Sequence, residues 1–584
     1  HLLTSIEDRD GNLITLTHGA NDRLERLTDA SGRETVFAYD GNNHCTAMTT
    51  FDGKQAFYHY DAAGNLVETV DLAGNASTYT YDAKGHVTEL ATNGNGTTFT
   101  WTDASGYWKV ASATNSLGHM ERYEEVNGGV RVIDPRGGVT TCTVTPDGTG
   151  GYSRSVTDRL GTTTTIFYTN NYASPYNLPP GLPVLCRRSD LSVPLWTADY
   201  DPVGNLVTFT DAMGASTFFT YDDRRNVTGI TDAVNHAWRF AYDGRDRLLK
   251  AVSPTGGRLS LLWDALGNLS QITRPSGATY LLGYDPHGNL AAITNPLGQK
   301  TTVAYDATGL NPASIVDPLG RTTALTFDAN RHLTQVTNPD GTSRHYGYDC
   351  CALTSYQDEN GQTTVVERDS LQRPLSVTDP LGNVRSFDYD GNGNVVAWTD
   401  PLGQISTHTY DAANRWVGWT NPVGAIVQMT YDTRGNLTSL TDPGSGTTGF
   451  TYDNNDHPVS VTDPLAWTQA LSWNLLGQFT LLTNARGRAV GFEYDEDGRL
   501  VARKHDGSPF AGYAYDNDGN LTTVVDATGT TTYVHNAQGR VIEVQYDIGR
   551  ATLAYDAAGN LTSITYPSGL RTDYTYDARN RVIA

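Results

Sequence analysis

Asp388-x-Asp390-x-Asn392-Gly393 spaces oxygen ligands as the first half of a calcium loop does, and Asp516-Asn517-Asp518-Gly519 repeats the pattern. Such a loop needs a bidentate carboxylate at its twelfth position. That position is Thr399 here, so no calcium site is assigned. With 64 Asp and Glu in the chain, carboxylate pairs at the ~5–9 Å separation used for glycoside hydrolysis must arise by proximity alone. They are read as turn residues. The 14 His form no HxxxH pair and no cluster with Cys, which removes the usual zinc arrangements. No Gly-x-Ser-x-Gly elbow and no Gly-x-Gly-x-x-Gly loop occurs. The five cysteines, Cys45, Cys142, Cys186, Cys350 and Cys351, are odd in number and irregularly spaced, without a CxxC pair. Adjacent Cys350 and Cys351 could join only as a strained vicinal bridge. The expectation is no catalytic residue, no cofactor-binding residue, no metal ligand and no enzyme.

What these residues have in common is their phase. Aromatic positions recur every 21 residues, at Tyr389, Tyr410, Tyr431, Tyr452, Trp473, Tyr494 and Tyr515, and again at Tyr200, Tyr221, Tyr242, Trp263, Tyr284 and Tyr305. Tyr39, Tyr60 and Tyr81 keep the same step, and Phe327, Tyr348, Tyr555 and Tyr576 continue it with occasional steps of 20 or 22. Each unit holds two turn signals. One follows the aromatic, as in Asp61-Ala-Ala-Gly64-Asn65 and Asp432-Thr-Arg-Gly435-Asn436. The other lies about ten residues on, as in Asp317-Pro-Leu-Gly320, Asp379-Pro-Leu-Gly382 and Asp400-Pro-Leu-Gly403. Asx at the first turn position accepts backbone hydrogen bonds, Pro at the second presets φ, and Gly at the fourth accepts the left-handed conformation. The runs between turns are six or seven residues long and rich in Thr, Val and aromatics, which predicts strands. The near-calcium motifs and the Asn-x-Thr sequons at Asn226, Asn436, Asn520 and Asn560 fall on this turn phase and are explained by it.

The fold class expected is therefore all-β: tandem ~21-residue β-hairpin repeats, about 27 of them over residues 1–584, forming a long spiralling antiparallel sheet that curves into a hollow shell. The repeated Tyr is expected to stack on its neighbours as a cross-strand ladder. Residues 102–199 are divergent repeats, with an excursion loop near 171–188 marked by Pro175, Pro179, Pro180 and Pro183. About 54 strands at ~4.8 Å make a ribbon ~260 Å long and ~23 Å wide. Rolled up, it would leave an inner radius of about 16–17 Å, close to the outer radius of a 100-residue globule.

Composition excludes other classes. The net charge of −23 and the absence of any Lys/Arg run longer than Arg187–Arg188 or Arg224–Arg225 argue against nucleic acid as partner. No apolar run approaches the length of a membrane-spanning helix. The chain begins at His1 and ends at Ala584 in mid-pattern, without a signal peptide, so a fragment of a longer protein is expected.

The Tyr-Asp-x-x-Gly-Asn/Arg-Leu core at Tyr60–Leu66, Tyr431–Leu437, Tyr494–Leu500 and Tyr515–Leu521, with the Asp-Pro-Leu-Gly half-repeat, resembles the Rhs/YD-repeat proteins throughout the chain. The resemblance implies a bacterial polymorphic toxin or the C subunit of an insecticidal toxin complex, with kinship to the teneurin barrel. It further implies a structural shell that encloses a C-terminal toxic domain, in interbacterial competition or against other cells. Its partners would be that toxin in cis, and a secretion-system spike or toxin-complex B subunit. Its localisation would be secreted, delivered by a secretion system, or cell-surface. Self-cleavage Asp residues of the family's closing segment have no counterpart here, so none is carried over. The alternative reading is a carbohydrate- or cell-surface-binding array built on the rows of Tyr and Asn, with surface glycans as partners.

Overall fold

Each half-repeat is too short to fold alone, and each can satisfy its backbone only by pairing with its neighbours. The computed structural model, which describes residues 2–8, 11–104, 107–147, 151–169, 181–349 and 352–584, meets this demand in the simplest way. Fifty-four strands form one antiparallel sheet in which each strand pairs with the ones before and after it in the chain. The described residues include no α-helix, and the one helical turn is the 3₁₀ segment Ala20–Asp22. The sheet does not close by strand pairing.

A typical unit is Leu437–Thr441 followed by Thr447–Tyr452. At the Tyr end the chain takes a four-residue turn with a bulge, so that Tyr431 faces Leu437 while Thr430 faces Ser439. Tyr389, Tyr410 and Tyr452 sit at the same register, facing Val395, Trp416 and Pro458. The departures from 21 have local causes. Two-residue loops at Asp526–Gly529 and Tyr546–Gly549 shorten the step to 20. One extra loop residue between Asp306 and Asn311, whose backbones bond at 2.9 Å, lengthens it to 22.

Gly at the fourth turn position adopts positive φ, for example +93° at Gly435. Asn414 occupies the equivalent position at φ 62°, so the site prefers Gly without requiring it. Because nothing lies within 4 Å of a Cβ built on Gly435, Gly435→Val costs only backbone strain, about 1–2 kcal/mol. The expected outcome is faster amide exchange confined to the 431–437 hairpin, with the neighbouring repeats unchanged.

Two expectations meet the structure differently. Cys350–Cys351 and most of the excursion loop lie outside the described residues. The loop's last part, however, is a strand: Pro183–Arg188 pairs with Thr163–Tyr168. The apolar run Val184-Leu185-Cys186 overrides the prolines around it, and Cys186 is among the most buried residues of the chain.

Almost nothing else is buried. The buried hydrophobics of the described residues are Ala56, Ile133, Cys186, Ala198, Ala278, Val336, Met429, Ala511 and Ala551, mostly small and scattered along the chain. The accessible area is 31915 Å² for 63.3 kDa, whereas a compact monomer of that mass exposes about 20,000 Å². One layer of sheet, wet on both faces, accounts for the excess.

Candidate functional site

The wall is built from three linked contacts. The first is the turn staple. Asp61 Oδ1 accepts the amides of Ala63 at 2.9 Å and Asn65 at 2.8 Å, while its Oδ2 accepts the Asn65 amide side chain at 2.9 Å. Arg415 and His86 replace Asn in the same role, bonding Asp411 and Asp82. These donors favour the ionised carboxylate. The side-chain bond from His86, then its backbone amide, lowers Asp82 to about 2. In Asp306 desolvation pushes the other way, and bonds from Thr308 and Asn311 outweigh it, again giving about 2.

The second contact ties most turns to the next aromatic position. Tyr431 donates to the carbonyl of Trp416 at 2.8 Å, and Tyr81 to that of Leu66 at 2.7 Å. Residues with another N–H donor stand in: Trp473 reaches Pro458 at 2.8 Å, Trp263 reaches Leu248 at 2.9 Å, and Arg368 reaches Leu353 at 3.0 Å. Trp101 likewise bonds the carbonyl of Val87 at 2.7 Å. Tyr152 stacks on Tyr168 at 4.7 Å across one hairpin, but among the described residues no two successive repeat tyrosines stack on each other. The ring instead packs on the fifth residue of the preceding turn, His44 on Tyr60 at 4.5 Å, Arg415 over Tyr431 at 4.9 Å, and Arg499 over Tyr515 at 5.1 Å. Successive Tyr rings are two strands apart, so the turn residue between them fills the gap. Tyr431→Phe keeps the ring and drops the bond to Trp416. It should cost about 1 kcal/mol, read as a lower denaturation midpoint, while Tyr431→Trp should recover much of the loss as Trp473 does.

The two faces differ. On the face that carries the Tyr rings, Phe387 faces Trp398, His408 faces Trp419, Met429 faces Leu440 and Phe450 faces Val461. The opposite face carries hydroxyl ladders such as Thr430–Ser439 at 2.6 Å and Thr451–Ser460 at 2.6 Å. Thus the alternation of period two that defines the strands also makes a wall with an apolar aromatic side and a polar side.

The third contact is a seam. Tips of turns in the Asp-Pro-Leu-Gly phase of the repeat, whatever their letters, meet tips of turns in the Tyr-Asp phase much later in the chain. Ser116 bonds Ser370 at 2.8 Å, Asp211 bonds Asn455 at 2.7 Å, Ser276 bonds Asp518 at 2.6 Å, and Arg321 bonds Asn580 at 2.7 Å. Ion pairs lie along the same line: Arg331 with Asp52 and Arg274 with Asp518, both at 3.3 Å, Arg136 with Asp390 at 3.4 Å and Arg579 with Asp340 at 3.1 Å. The sequence separations of these seam hydrogen bonds run from 237 to 279 residues. The ribbon is therefore a spiral with that many residues per turn, and its successive turns are joined edge to edge by side chains. Grooves of 610, 350 and 690 Å³ lie along the seam; Trp196 and His457, His119 and Asn392, and Ser276 and His535 are among their lining residues.

Asp390 and Asn392 of the near-calcium motif lie at this seam. Asp390 staples its own turn through Asn392 and Asn394 and faces Arg136. Among the described residues no group of three or more His, Cys, Asp or Glu could hold a metal ion, and no helix is long and apolar enough to cross a membrane. Sequence reading missed the seam, whose residues vary from repeat to repeat.

The sequence profile of the RHS repeat matches residues 20–55, 60–98, 200–237, 226–258, 263–302, 305–343, 389–426, 431–466, 515–550 and 555–584, more than half of the chain. No curated protein sequence matches. Among solved structures, the chain is similar to the TcdB2–TccC3 crystal structure, at 14% identity and a TM-score of 0.45, over 97% of this chain and 34% of that one. It is also similar to a Tc holotoxin pore structure from Photorhabdus luminescens with a TccC3 mutation, at 14% identity and a TM-score of 0.44, over 98% of this chain and 36% of that one. The chain spans about a third of the length of these structures.

Proposed function

The chain belongs to the RHS repeat family, and from that membership we propose that it is the wall of a container that encloses a toxic domain of its own longer polypeptide. The observation that carries the reading is the excess of accessible surface in a spiral joined edge to edge: 31915 Å² against about 20,000 Å² for a packed globule. A layer this thin stabilises little by itself and encloses much. Its aromatic face can restrain many cargoes without complementarity to any one of them, since close packing is needed only to fix a unique fold. The protein acts by holding cargo and keeping proteases out. The container is secreted or delivered by a secretion system, with a secretion spike or a toxin-complex B subunit as its docking partner.

The test uses the parent polypeptide. Its cargo region should resist protease while the wall is intact and become sensitive once the seam is opened by substitution. If the cargo is digested with the wall intact, the container reading fails and a glycan- or cell-surface-binding array replaces it.

A further inference from the structure

Trp196 stands where other repeats place a small polar residue. Four positions before the repeat Tyr the chain carries Thr217, Ser406 or Thr448, but before Tyr200 it carries Trp196. Its register puts the indole on the face that carries the Tyr rings, directly across from Asp211. On the same neighbouring strand Phe209 holds its ring 5.9 Å from the indole, at 29°. The two rings make an apolar platform in the seam groove of 610 Å³, within the ~300–1,000 Å³ range of small-molecule sites. The other wall of that groove comes from the next spiral turn. Asn455 donates to Asp211 Oδ2 at 2.7 Å across 244 residues, which bridges the two walls, and Asn454, Asp456 and His457 line the groove beside it. Asp456 Oδ1 pairs with Arg434 at 3.0 Å, which leaves Oδ2 to accept. His457 Nδ1 meets Asp453 at 3.1 Å, which leaves Nε2. A Cβ on Gly477 would stand 3.2 Å from that nitrogen, so the glycine keeps this edge of the ring open.

We propose that this groove binds a neutral saccharide. One sugar ring stacks on Trp196 and Phe209, and its hydroxyls meet the amide of Asn454, the carboxylate of Asp456 and Nε2 of His457. A pyranose has an apolar C–H face and a rim of hydroxyls, each both donor and acceptor. The groove offers the counterpart, an aromatic platform with a rim of amide, carboxylate and imidazole. Its described lining residues include two carboxylates, Asp211 and Asp456, and neither Lys nor Arg, which selects against phosphate and other anions. Because the walls belong to different spiral turns, the site is complete only when the seam is closed, and its ligand favours the closed seam. It is a single site set by Trp196, it needs no cargo, and it goes beyond the enclosure proposed above.

The experiment is saturation-transfer NMR on the 584-residue chain with glucose, galactose, N-acetylglucosamine and cellobiose, and with glucose phosphate as the anionic comparison. At least one neutral sugar should show transfer, and the phosphate should show none. Trp196→Ala and His457→Asn, one from each spiral turn, should each weaken binding about tenfold or more. His457→Asn keeps the turn staple, since Asn65 fills the same place beside Asp61. Trp467→Ala removes an indole that is 47% exposed and outside the groove, and should leave binding unchanged. No transfer from any neutral sugar at about 20 mM, binding that survives Trp196→Ala, or an equal loss in Trp467→Ala would overturn the proposal without touching the protease test of enclosure.

Discussion

Stability falls steeply once the pH drops below about 4, the ordinary range of an aspartate, and the loss continues toward pH 2. The turn staple makes this collective. Along the chain, carboxylates such as Asp61, Asp222, Asp379 and Asp432 sit below their usual pKa. In Asp61, Asp222 and Asp379 the bond from the fifth turn residue's side chain leads, and in Asp432 desolvation is outweighed by the bonds from Asn436. A carboxylate whose pKa is lower folded than unfolded contributes stability above the unfolded value and loses it as pH falls through the folded one. With Asp82 and Asp306 at about 2, the window is from about pH 4 to about pH 2. Most of these groups are solvent-exposed, so each contributes modestly, and the effect comes from repetition. Thermal midpoints measured at pH 7, 4, 3 and 2 should be flat at first and then drop. An unchanged midpoint at pH 2 would show that the Asp–Asx contacts do not hold the turns.

The hairpin phase was legible because its causes are local. Asp at the first turn position reaches only two and four residues on, and Gly435 needs only its own φ, so both recur wherever the turn recurs. The role of the fifth turn residue was less legible. Asn65, Arg415 and His86 look unlike each other in sequence, yet all bond the turn Asp, and Arg415 and His44 also pack on the next aromatic ring. Their shared property is a donor on a planar group, which residue identity conceals. Trp263 and Trp473 hide the same way, as N–H donors in place of a hydroxyl. The spiral pitch was not legible at all. It is set by twist and by contacts such as Ser276 with Asp518, between turn tips with no repeated consensus. Nothing in a repeat 21 residues long specifies where its edge will meet another edge.

Reversing charge along that seam should open the spiral and leave the hairpins standing. Each strand is held to its neighbours by a ladder of backbone hydrogen bonds, whereas successive spiral turns are held by contacts between turn tips, most of them made by side chains. An exposed ion pair contributes about 0–1 kcal/mol, so the seam is the weaker joint by a wide margin. Its strongest points are Asp52 and Asp518, whose side chains are each 4% exposed beside Arg331 and Arg274. Arg331→Glu and Arg274→Glu leave these carboxylates facing a like charge, at about 1–3 kcal/mol each for the lost partner alone. Arg136→Glu removes bonds to Asn414 at 2.9 Å and to the Tyr410 carbonyl at 3.1 Å, and turns the pair with Asp390 repulsive. In the triple variant the far-UV spectrum should stay that of the unaltered sheet. The radius of gyration from small-angle scattering should rise, and protease should cut at turn tips that the seam had covered. Salt near 1 M, where screening acts within ~3 Å, should move the unaltered chain in the same direction by a smaller amount. An unchanged radius in the triple variant would mean that curvature of the strands themselves, and not the seam, sets the spiral.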